Sequence, residues 1–341
     1  MKKVAIMAFA VSLVACKAQQ PKSVETADVM DYANSITADE LKEHLYTFAD
    51  DEFEGRESGE PGQKKAAEYL KNEFKQLGIP SPIGGDDYYQ EVPGSFFRRG
   101  TVKDTENVLA YIEGTTYPDE VLVITSHYDH EGIDDEGNIY NGADDGGSGP
   151  MAILEIAEAF KKAKEDGYGP KRSVLFLLLT GEEKGLVGSK FYTENPVFPL
   201  ENTVANLNAD MIGRVGVGME DAGDYVYLIG SDKLSTELHE ISEAANKQYI
   251  GMTLDYTFND ENDPNRFYYR SDHYNFAKHD IPIIFYFNGV HADYHKPTDT
   301  AEKIAYDLLA KRAQLIFVTA WEIANRAERP FVDKPTAEKA E

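Results

Sequence analysis

The sequence predicts an α/β protein in which a central sheet is flanked by helices. Short, wholly apolar segments at residues 121–124 and 174–179 have the composition of strands that are buried on both faces. They alternate along the chain with longer segments whose apolar residues recur every three or four positions, as on one face of a helix. Strands that alternate with helices in this way are typical of a sheet covered by helices.

The individual elements follow from local signals along the chain. Thr37 is expected to be the N-cap of the first helix, and Glu40 three residues later completes a capping box. Gly78 is expected to end the second helix. The predicted helices cover residues 37–48, 63–77, 150–164, 237–248 and 301–326. The predicted strands cover residues 107–112, 121–126, 174–179, 204–208 and 281–287.

The N-terminus has the pattern of an export signal. Lys2 and Lys3 precede an apolar run over residues 4–14, which is too short to span a bilayer. Small residues then precede Cys16, the single cysteine, as in a bacterial lipobox. We therefore expect a lipoprotein signal peptide at residues 1–15 and lipidation of Cys16. The alternative is a simple secretory signal with a chance cysteine.

This signal predicts an exported cell-envelope lipoprotein, on the periplasmic or surface face, that contacts the membrane only through its N-terminal anchor. Residues 16–35 are polar and are predicted to form a tether. Residues 36–330 are predicted to form one domain, followed by a flexible tail at residues 331–341. Because the chain has one cysteine, an intrachain disulfide is impossible.

The composition excludes some classes of function. The chain has 341 residues, with 34 Lys plus Arg against 60 Asp plus Glu, and a formal net charge of −26. This acidic balance argues against a nucleic-acid partner, because phosphate binding needs basic patches. The glycine-rich loop at residues 142–149 lacks the Lys-Ser/Thr of a phosphate-binding loop, which argues against nucleotide binding.

Histidines and acidic residues follow several predicted strands directly. In open α/β sheets, ligands bind beyond the carboxyl ends of the strands, so we expect a site there. The residues at these positions are His127, Asp129, Glu182, Glu183, Asp210, His291 and His295, and the loop before a predicted helix adds Asp144 and Asp145.

The residue types indicate a metal centre. Imidazole and carboxylate suit a borderline cation such as zinc, and histidines together with several carboxylates suggest a two-metal hydrolytic site. In the pair Glu182-Glu183, one carboxylate can bind metal while its neighbour acts as a general base. Asp129 is the expected acceptor for the second N–H of His127, which fixes the tautomer of that ring.

Five motifs in series resemble metallopeptidase family 28, the di-zinc aminopeptidases related to bacterial leucyl aminopeptidase. The resemblance covers about residues 36–325, and the segment at residues 53–62 is similar to the family's N-terminal part. It implies a mixed, largely parallel central sheet in the three-layer sandwich of zinc exopeptidases. The motifs are His127-Tyr128-Asp129, the glycine-rich residues 142–149, Gly181-Glu182-Glu183, Asn208-Ala209-Asp210 and His295-Lys296-Pro297-Thr298-Asp299.

The resemblance also implies roles for single residues. Two Zn²⁺ ions per chain would be held, one by His127 and Asp210 and the other by Glu183 and His295, with Asp145 bridging them. Glu182 matches the general base, and Asp129 matches the carboxylate behind His127. Tyr294 lies where some members place a tyrosine that hydrogen-bonds the tetrahedral oxyanion, although other members lack it. Asp144 and His291 remain the alternatives to Asp145 and His295.

The function expected from this resemblance is a zinc-dependent aminopeptidase acting on peptides. A metal-bridging hydroxide would attack the first peptide carbonyl, and Glu182 would transfer the proton. A glutaminyl cyclase on the same fold and a non-catalytic binding module are the alternatives. A carboxypeptidase would need Arg98, Arg214 or Arg270 to meet the substrate carboxylate. The preferred side chain and the oligomeric state do not follow from the sequence.

Overall fold

The computed structural model of the chain describes residues 28–98 and 102–334. The predicted signal peptide, the lipidation site Cys16 and most of the predicted tether lie outside the described residues. No helix in the described part is both long and apolar enough to cross a membrane.

The described residues form eight helices around one main sheet. Thr37 is confirmed as an N-cap, because its hydroxyl oxygen accepts the Glu40 N–H at 3.2 Å and its hydroxyl group donates to the Glu40 carboxylate at 2.7 Å. The helices are α1 (Val29–Ala33), α2 (Ala38–Phe48), α3 (Pro61–Gln76), α4 (Gly149–Glu165), α5 (Val187–Glu194), α6 (Thr236–Ala245), α7 (His273–Ala277) and α8 (Tyr306–Asn325).

The main sheet is mixed and largely parallel, as predicted. Its eight strands are β1 (Tyr89–Val92), β2 (Thr105–Ile112), β3 (Tyr117–His127), β6 (Arg172–Leu179), β7 (Thr203–Ala209), β8 (Tyr225–Ile229), β9 (Thr253–Asp255) and β10 (Ile283–Phe287). A separate hairpin joins β4 (Gly132–Ile133) to β5 (Ile139–Tyr140). The strand order is β1-β2-β6-β3-β7-β10-β8-β9. The run β6-β3-β7-β10 is parallel throughout.

Helices cover both faces of this sheet, which gives three layers. In β6, Val174 and Phe176 point towards one face and pack with α2, α3, α4 and α8. Leu175 and Leu177 point towards the other and pack with Tyr192 of α5 and with α7. Successive side chains of a strand alternate between faces, so a wholly apolar strand such as β6 must be covered on both sides.

Both ends of the described chain differ from the predicted organisation. Residues 29–33, assigned to the tether, form α1, in which Val29, Tyr32 and Ala33 are buried. Their spacing places them on one helix face, and Tyr32 stacks on Trp321 of α8 at 5.9 Å between ring centroids. At the other end, Asp333 in the predicted flexible tail accepts two hydrogen bonds from Thr236. Both predicted segments are therefore partly packed on the domain.

The sequence did not predict the strand β8, at Tyr225–Ile229. It has five residues, all buried, and pairs antiparallel with β10. A short apolar run of this length has no periodicity that separates strand from helix, so only its pairing in the sheet identifies it.

A buried carboxyl group on α4 predicts a pH dependence of stability. Glu155 is 2% exposed and lies 3.6 Å from the Nε2 atom of His44. Burial raises the pKa of Glu155 to about 8, with Glu40 and Glu158 adding to the rise and Lys162 opposing it. The folded state therefore binds this proton more tightly than the unfolded chain does. Because of this, the free energy of unfolding should fall as the pH rises from about 4.5 to about 8.

Replacing Glu155 by Gln should flatten this dependence and stabilise the protein at pH 8, by on the order of 3 kcal/mol. The measurement is urea unfolding of wild type and Glu155→Gln at several pH values. Glu165→Gln, at the exposed last position of the same helix, is the control and should follow the wild type. Parallel curves for wild type and Glu155→Gln would contradict this account.

Candidate metal centre

The four parallel strands in the middle of the sheet end at the same edge. His127 is the last residue of β3 and is paired in register with Leu179, the last residue of β6. Asp210 follows β7 directly, and Glu182 and Glu183 follow β6 after a two-residue turn. Because the carboxyl ends of parallel strands meet, residues far apart in sequence come together here.

The predicted ligands form two groups that share one residue. The Nε2 atom of His127 lies 3.1 Å from Oδ1 of Asp210 and 3.4 Å from Oδ1 of Asp145. The Nε2 atom of His295 lies 3.1 Å from Oδ2 of Asp145 and 3.4 Å from Oε2 of Glu183. The two oxygens of Asp145 therefore face different histidines, as a bridging carboxylate requires.

These separations fit zinc. Zinc bonds to nitrogen and oxygen of about 2.0–2.2 Å in a tetrahedron place neighbouring ligand atoms about 3.3 Å apart. The four distances above are between 3.1 and 3.4 Å. The groups of donor atoms close enough to hold one ion include His127, Asp145 and Asp210, and also Glu131, Glu183 and His295. The donor set and its spacing are therefore suitable for two cations.

Hydrogen bonds orient the outer side of these ligands. The Nδ1 atom of His127 lies 3.1 Å from the main-chain carbonyl oxygen of Asp129 and 3.8 Å from its carboxylate. The Nδ1 atom of His295 lies 3.5 Å from Glu131, and Ser271 donates to Asp210 at 2.6 Å. The sequence pointed to the Asp129 carboxylate, but the carbonyl of the same residue is the nearer acceptor.

The carboxylate of Asp129 instead connects two other segments. It accepts a hydrogen bond from the Ser58 hydroxyl at 2.7 Å and from the main-chain N–H of Glu182 at 3.2 Å. Asp129 therefore holds the turn after β6, and with it the Glu182-Glu183 pair, against the end of β3.

The turn that presents Asp145 is held by its main chain. One oxygen of Asp299 accepts the N–H groups of Asp144 and Asp145, at 2.9 and 3.1 Å. The next residue, Gly146, has a φ of 78°, and a Cβ atom there would lie 2.4 Å from the Asp129 carbonyl oxygen. Only glycine combines a positive φ with the absence of a Cβ atom at this close approach. The turn can therefore bring Asp145 close to His127.

Arg56 ties this turn to the end of β3. Its fully buried guanidinium donates to the carbonyls of Tyr128, Asn141 and Gly142 at 2.7–3.0 Å, and to that of Phe48 at 3.1 Å. One side chain thus fixes the backbone beside His127 relative to the loop that leads to Asp145.

The two alternative ligands lie elsewhere. Asp144 accepts hydrogen bonds from the Gly213 N–H at 2.6 Å and from the Ser148 hydroxyl at 2.8 Å. Its other oxygen lies 3.2 Å from Nε2 of His291. In the described residues, neither Asp144 nor His291 belongs to a group of side chains that could hold a metal ion. The two form a buried pair that attaches the loop after β7.

The structure adds one histidine that the sequence left without a role. His130 is fully buried, and its Nδ1 atom lies 2.9 Å from Oε1 of Glu183 and 3.8 Å from Asp145. It could orient Glu183 or offer a further ligand, since it also belongs to a group of metal-competent side chains. Its position directly after Asp129 in the first motif was the available signal.

The electrostatics of the cluster require positive charge. Burial by itself would raise the pKa of Asp145, but the surrounding His130, His127 and His295 lower it well below its ordinary value. Burial by itself would lower the pKa of His295, but Asp145 and Glu183 raise it to about 10. Neighbouring carboxylates also raise the pKa of His127 well above its ordinary value, so without metal, protons on His127 and His295 would balance part of the carboxylate charge. Because a ligating nitrogen must be deprotonated, metal binding would displace these protons and weaken as the pH falls.

Glu182 has a different environment from Glu183. Burial raises the pKa of Glu182 well above its ordinary value, and Glu183 and Asp210 raise it further, while His127 opposes the shift. Among the described residues, Glu182 belongs to none of the groups that could hold a metal ion. It is therefore a carboxyl group beside the candidate ligands that holds its proton more tightly than an ordinary glutamate.

A pocket opens on this cluster. Its walls are Asp145, Glu182, Glu183, Asp210 and His295 on one side, with Met211, Phe267, Arg270, Phe285, Phe287, Val290 and Tyr294. A larger cavity lies around Asp232, Asn259 and Lys334, but it contains none of the predicted ligands. The smaller pocket is therefore the candidate site.

Known proteins resemble this chain in sequence and in fold. A family model described as peptidase family M28 matches residues 107–320. Leupeptin-inactivating enzyme 1 of Streptomyces exfoliatus is 28% identical over 310 residues, which are 88% of this chain and 60% of that relative. The chain therefore spans less than two thirds of the length of this curated relative.

Solved structures show the same fold. The LapA aminopeptidase of Legionella pneumophila has a TM-score of 0.67 at 23% identity, over 96% of this chain and 81% of that chain. The zinc aminopeptidase BSAP of Bacillus subtilis has a TM-score of 0.65 at 16% identity, over 88% of this chain and 99% of that chain.

The geometry predicts which histidine holds metal. His295→Ala should bind less zinc per chain than wild type, because it removes the nitrogen that faces Asp145 and Glu183. His291→Ala removes a histidine of the same loop that faces Asp144 instead, and should bind as much zinc as wild type. Metal content by mass spectrometry, with thermal unfolding to verify folding, tests this pair. Loss of zinc in folded His291→Ala alone would reverse the assignment.

Proposed function

The chain belongs to peptidase family M28, and from that premise we propose that it is a zinc-dependent aminopeptidase. It would remove the N-terminal residue of peptides. The observation behind the proposal is the position of Asp145, whose two oxygens face two separate histidine–carboxylate pairs in a pocket that also contains Glu182. Two structural neighbours support it, since one is the LapA aminopeptidase and the other is the zinc aminopeptidase BSAP.

The residues that would hold the metals follow from the distances. His127 and Asp210 would hold one zinc ion, Glu183 and His295 the other, and Asp145 would contact both. When bound, two zinc ions supply a water of lowered pKa and polarise the scissile carbonyl group. Asp299, Ser271 and the other hydrogen-bonding partners keep the ligands in place before the ions bind.

Glu182 would move the proton. Its carboxyl group lies in the pocket beside the ligands, and its main-chain N–H is fixed by Asp129. A carboxylate with a raised pKa takes a proton from water more readily than an ordinary glutamate does, and it can then donate that proton to the leaving amine. The division of labour between Glu182 and Glu183 therefore rests on their different surroundings.

The charge of the site fits an exopeptidase. The acidic wall formed by Asp145, Glu182, Glu183 and Asp210 would attract the free α-ammonium group of a peptide. Tyr294 lies in the same pocket with its ring 3.9 Å from that of His295, between ring centroids. We infer that its hydroxyl group would donate to a developing oxyanion.

Metal content and activity together test the proposal. Residues 17–341 should bind two zinc ions per chain and release the amino acid from aminoacyl-nitroanilides. A chelator should abolish the release, and added zinc should restore it. One zinc ion per chain with cyclisation of an N-terminal glutaminyl peptide would instead indicate a cyclase. Absence of both metal and turnover would indicate a binding module.

The two glutamates provide the sharper test. Glu182→Gln should keep both metals and lower kcat about 10²- to 10⁴-fold, because only the proton acceptor is lost. Glu183→Gln should lower the zinc content itself, because a ligand is weakened. Zinc per chain and kcat are measured on both variants. The reverse pattern would show that the two roles are exchanged.

A further inference from the structure

The pocket beside the candidate ligands contains one lysine or arginine, Arg270, among the residues that the structure describes. It follows the short helical turn Phe267–Tyr269 and precedes Ser271, which donates to Asp210. Arg270 therefore lies on the segment that also supports a candidate metal ligand. Its side chain is exposed at the rim of the pocket.

The guanidinium of Arg270 has no acidic partner in the described part of the chain. It lies over the ring of Phe267, 5.1 Å from the centroid, and its Nη2 atom is 3.4 Å from the hydroxyl oxygen of Tyr294. By contrast, Arg214 forms salt bridges with Asp293 and Asp299. Among Arg98, Arg214 and Arg270, only Arg270 lines this pocket. Its guanidinium N–H groups are not engaged by a carboxylate of the described residues.

A short chain of contacts connects this arginine to the metal ligands. Arg270 contacts the Tyr294 hydroxyl, the Tyr294 ring lies against His295, and His295 faces Asp145 and Glu183. A peptide whose scissile carbonyl lies at the ligands would therefore place groups of the adjoining residue near Arg270. The same pocket also contains apolar side chains, among them Phe267 and Val290.

We propose that Arg270 binds a carboxylate of the peptide substrate, carried by one of the two residues that the scissile bond joins. This rests on the proposed aminopeptidase function and specifies its substrate class. The carboxylate is either the C-terminal group of a dipeptide or the side chain of an acidic N-terminal residue. The planar guanidinium can form two parallel hydrogen bonds with a carboxylate.

The opposite charges of the pocket would orient such a substrate. The acidic residues around the metal ligands attract the α-ammonium group, and Arg270 attracts the carboxylate. A substrate with both groups is aligned at two points, whereas a neutral peptide is aligned at one. The preference should therefore appear mainly in KM, because the arginine binds ground state and transition state alike.

The activity test compares matched substrates. Leu-Gly is compared with Leu-glycinamide, and glutamyl-nitroanilide with glutaminyl-nitroanilide, on zinc-loaded protein. Wild type should prefer the carboxylate member of at least one pair by about 10- to 100-fold in kcat/KM. Arg270→Gln should remove this preference by raising the KM of the carboxylate member of the pair. Arg270→Lys should keep part of it, because it retains the charge without the planar fork.

Arg266→Gln is the matched control. Arg266 precedes the same helical turn, lies over the ring of Tyr269 at 4.8 Å and lines the other cavity. Its loss removes the same charge four residues away and should leave both substrate pairs unchanged. An equal loss for all substrates in Arg270→Gln, or a preference that survives in this variant, would overturn the inference.

A binding measurement separates this inference from the proposed function. Calorimetric titration of Leu-Gly and of Leu-glycinamide is carried out on Glu182→Gln and on Glu182→Gln/Arg270→Gln. If only Leu-Gly binds more weakly to the double variant, Arg270 binds the C-terminal carboxylate. The same titrations with Glu-Gly-amide and Gln-Gly-amide test the side-chain carboxylate, and weaker binding of Glu-Gly-amide alone would support it. Equal binding of both pairs by the two proteins overturns the inference, even if wild type releases neutral residues. Absence of turnover with Arg270-dependent binding overturns only the proposed function.

Discussion

The site depends on how the chain keeps several carboxylates close together in a buried place. Asp145, Glu183 and Asp210 lie within about one hydrogen-bond length of histidine nitrogens at the edge of the sheet. In a medium of low dielectric, such groups cannot all be ionised unless positive charge lies among them. Protons on the histidines meet this requirement in the metal-free protein, and divalent cations meet it in the proposed enzyme.

Repulsion of this kind would open the site if the loops were loose, and main-chain hydrogen bonds prevent this. Arg56 is buried at the centre of four carbonyl groups. Burial lowers its pKa to about 10, which is still high enough to keep it charged at neutral pH. Asp299 accepts from the turn that carries Asp145, and Asp129 accepts from the turn that carries Glu182. The ligands are therefore positioned by the backbone before any cation arrives, which lowers the cost of binding it.

The two sides of the pocket have different chemistry, and this asymmetry suits a peptide end. The acidic side contains the candidate ligands and Glu182, while the other side consists of Met211 and aromatic residues from β10 and the turn before Arg270. A free α-ammonium group and an apolar or acidic side chain would occupy different walls. The fold supplies this arrangement because β7 and β10 are neighbours whose ends lie at the same edge.

Much of the fold follows from the sequence, because burial on both faces and helical periodicity are local properties. The apolar runs of β3 and β6 and the cap at Thr37 are readable without any partner. Short elements could not be predicted in this way. The helix α1 and the strand β8 have five residues each, and what they pack against decides which structure they adopt. The same distinction applies to the site.

The motifs at the strand ends, and their resemblance to one peptidase family, named the residues that the fold brings together. The sequence alone therefore determined the fold class, the chemical type of the site and, except for His130, the list from which its candidate ligands come. Only the tertiary structure decided between adjacent or similar residues. It turned Asp145 rather than Asp144 towards the histidines, paired His291 with Asp144, brought His130 to Glu183 and left Arg270 at the pocket. The physical reason is that direction depends on turn geometry and long-range hydrogen bonds, such as those of Asp299, which join segments more than a hundred residues apart.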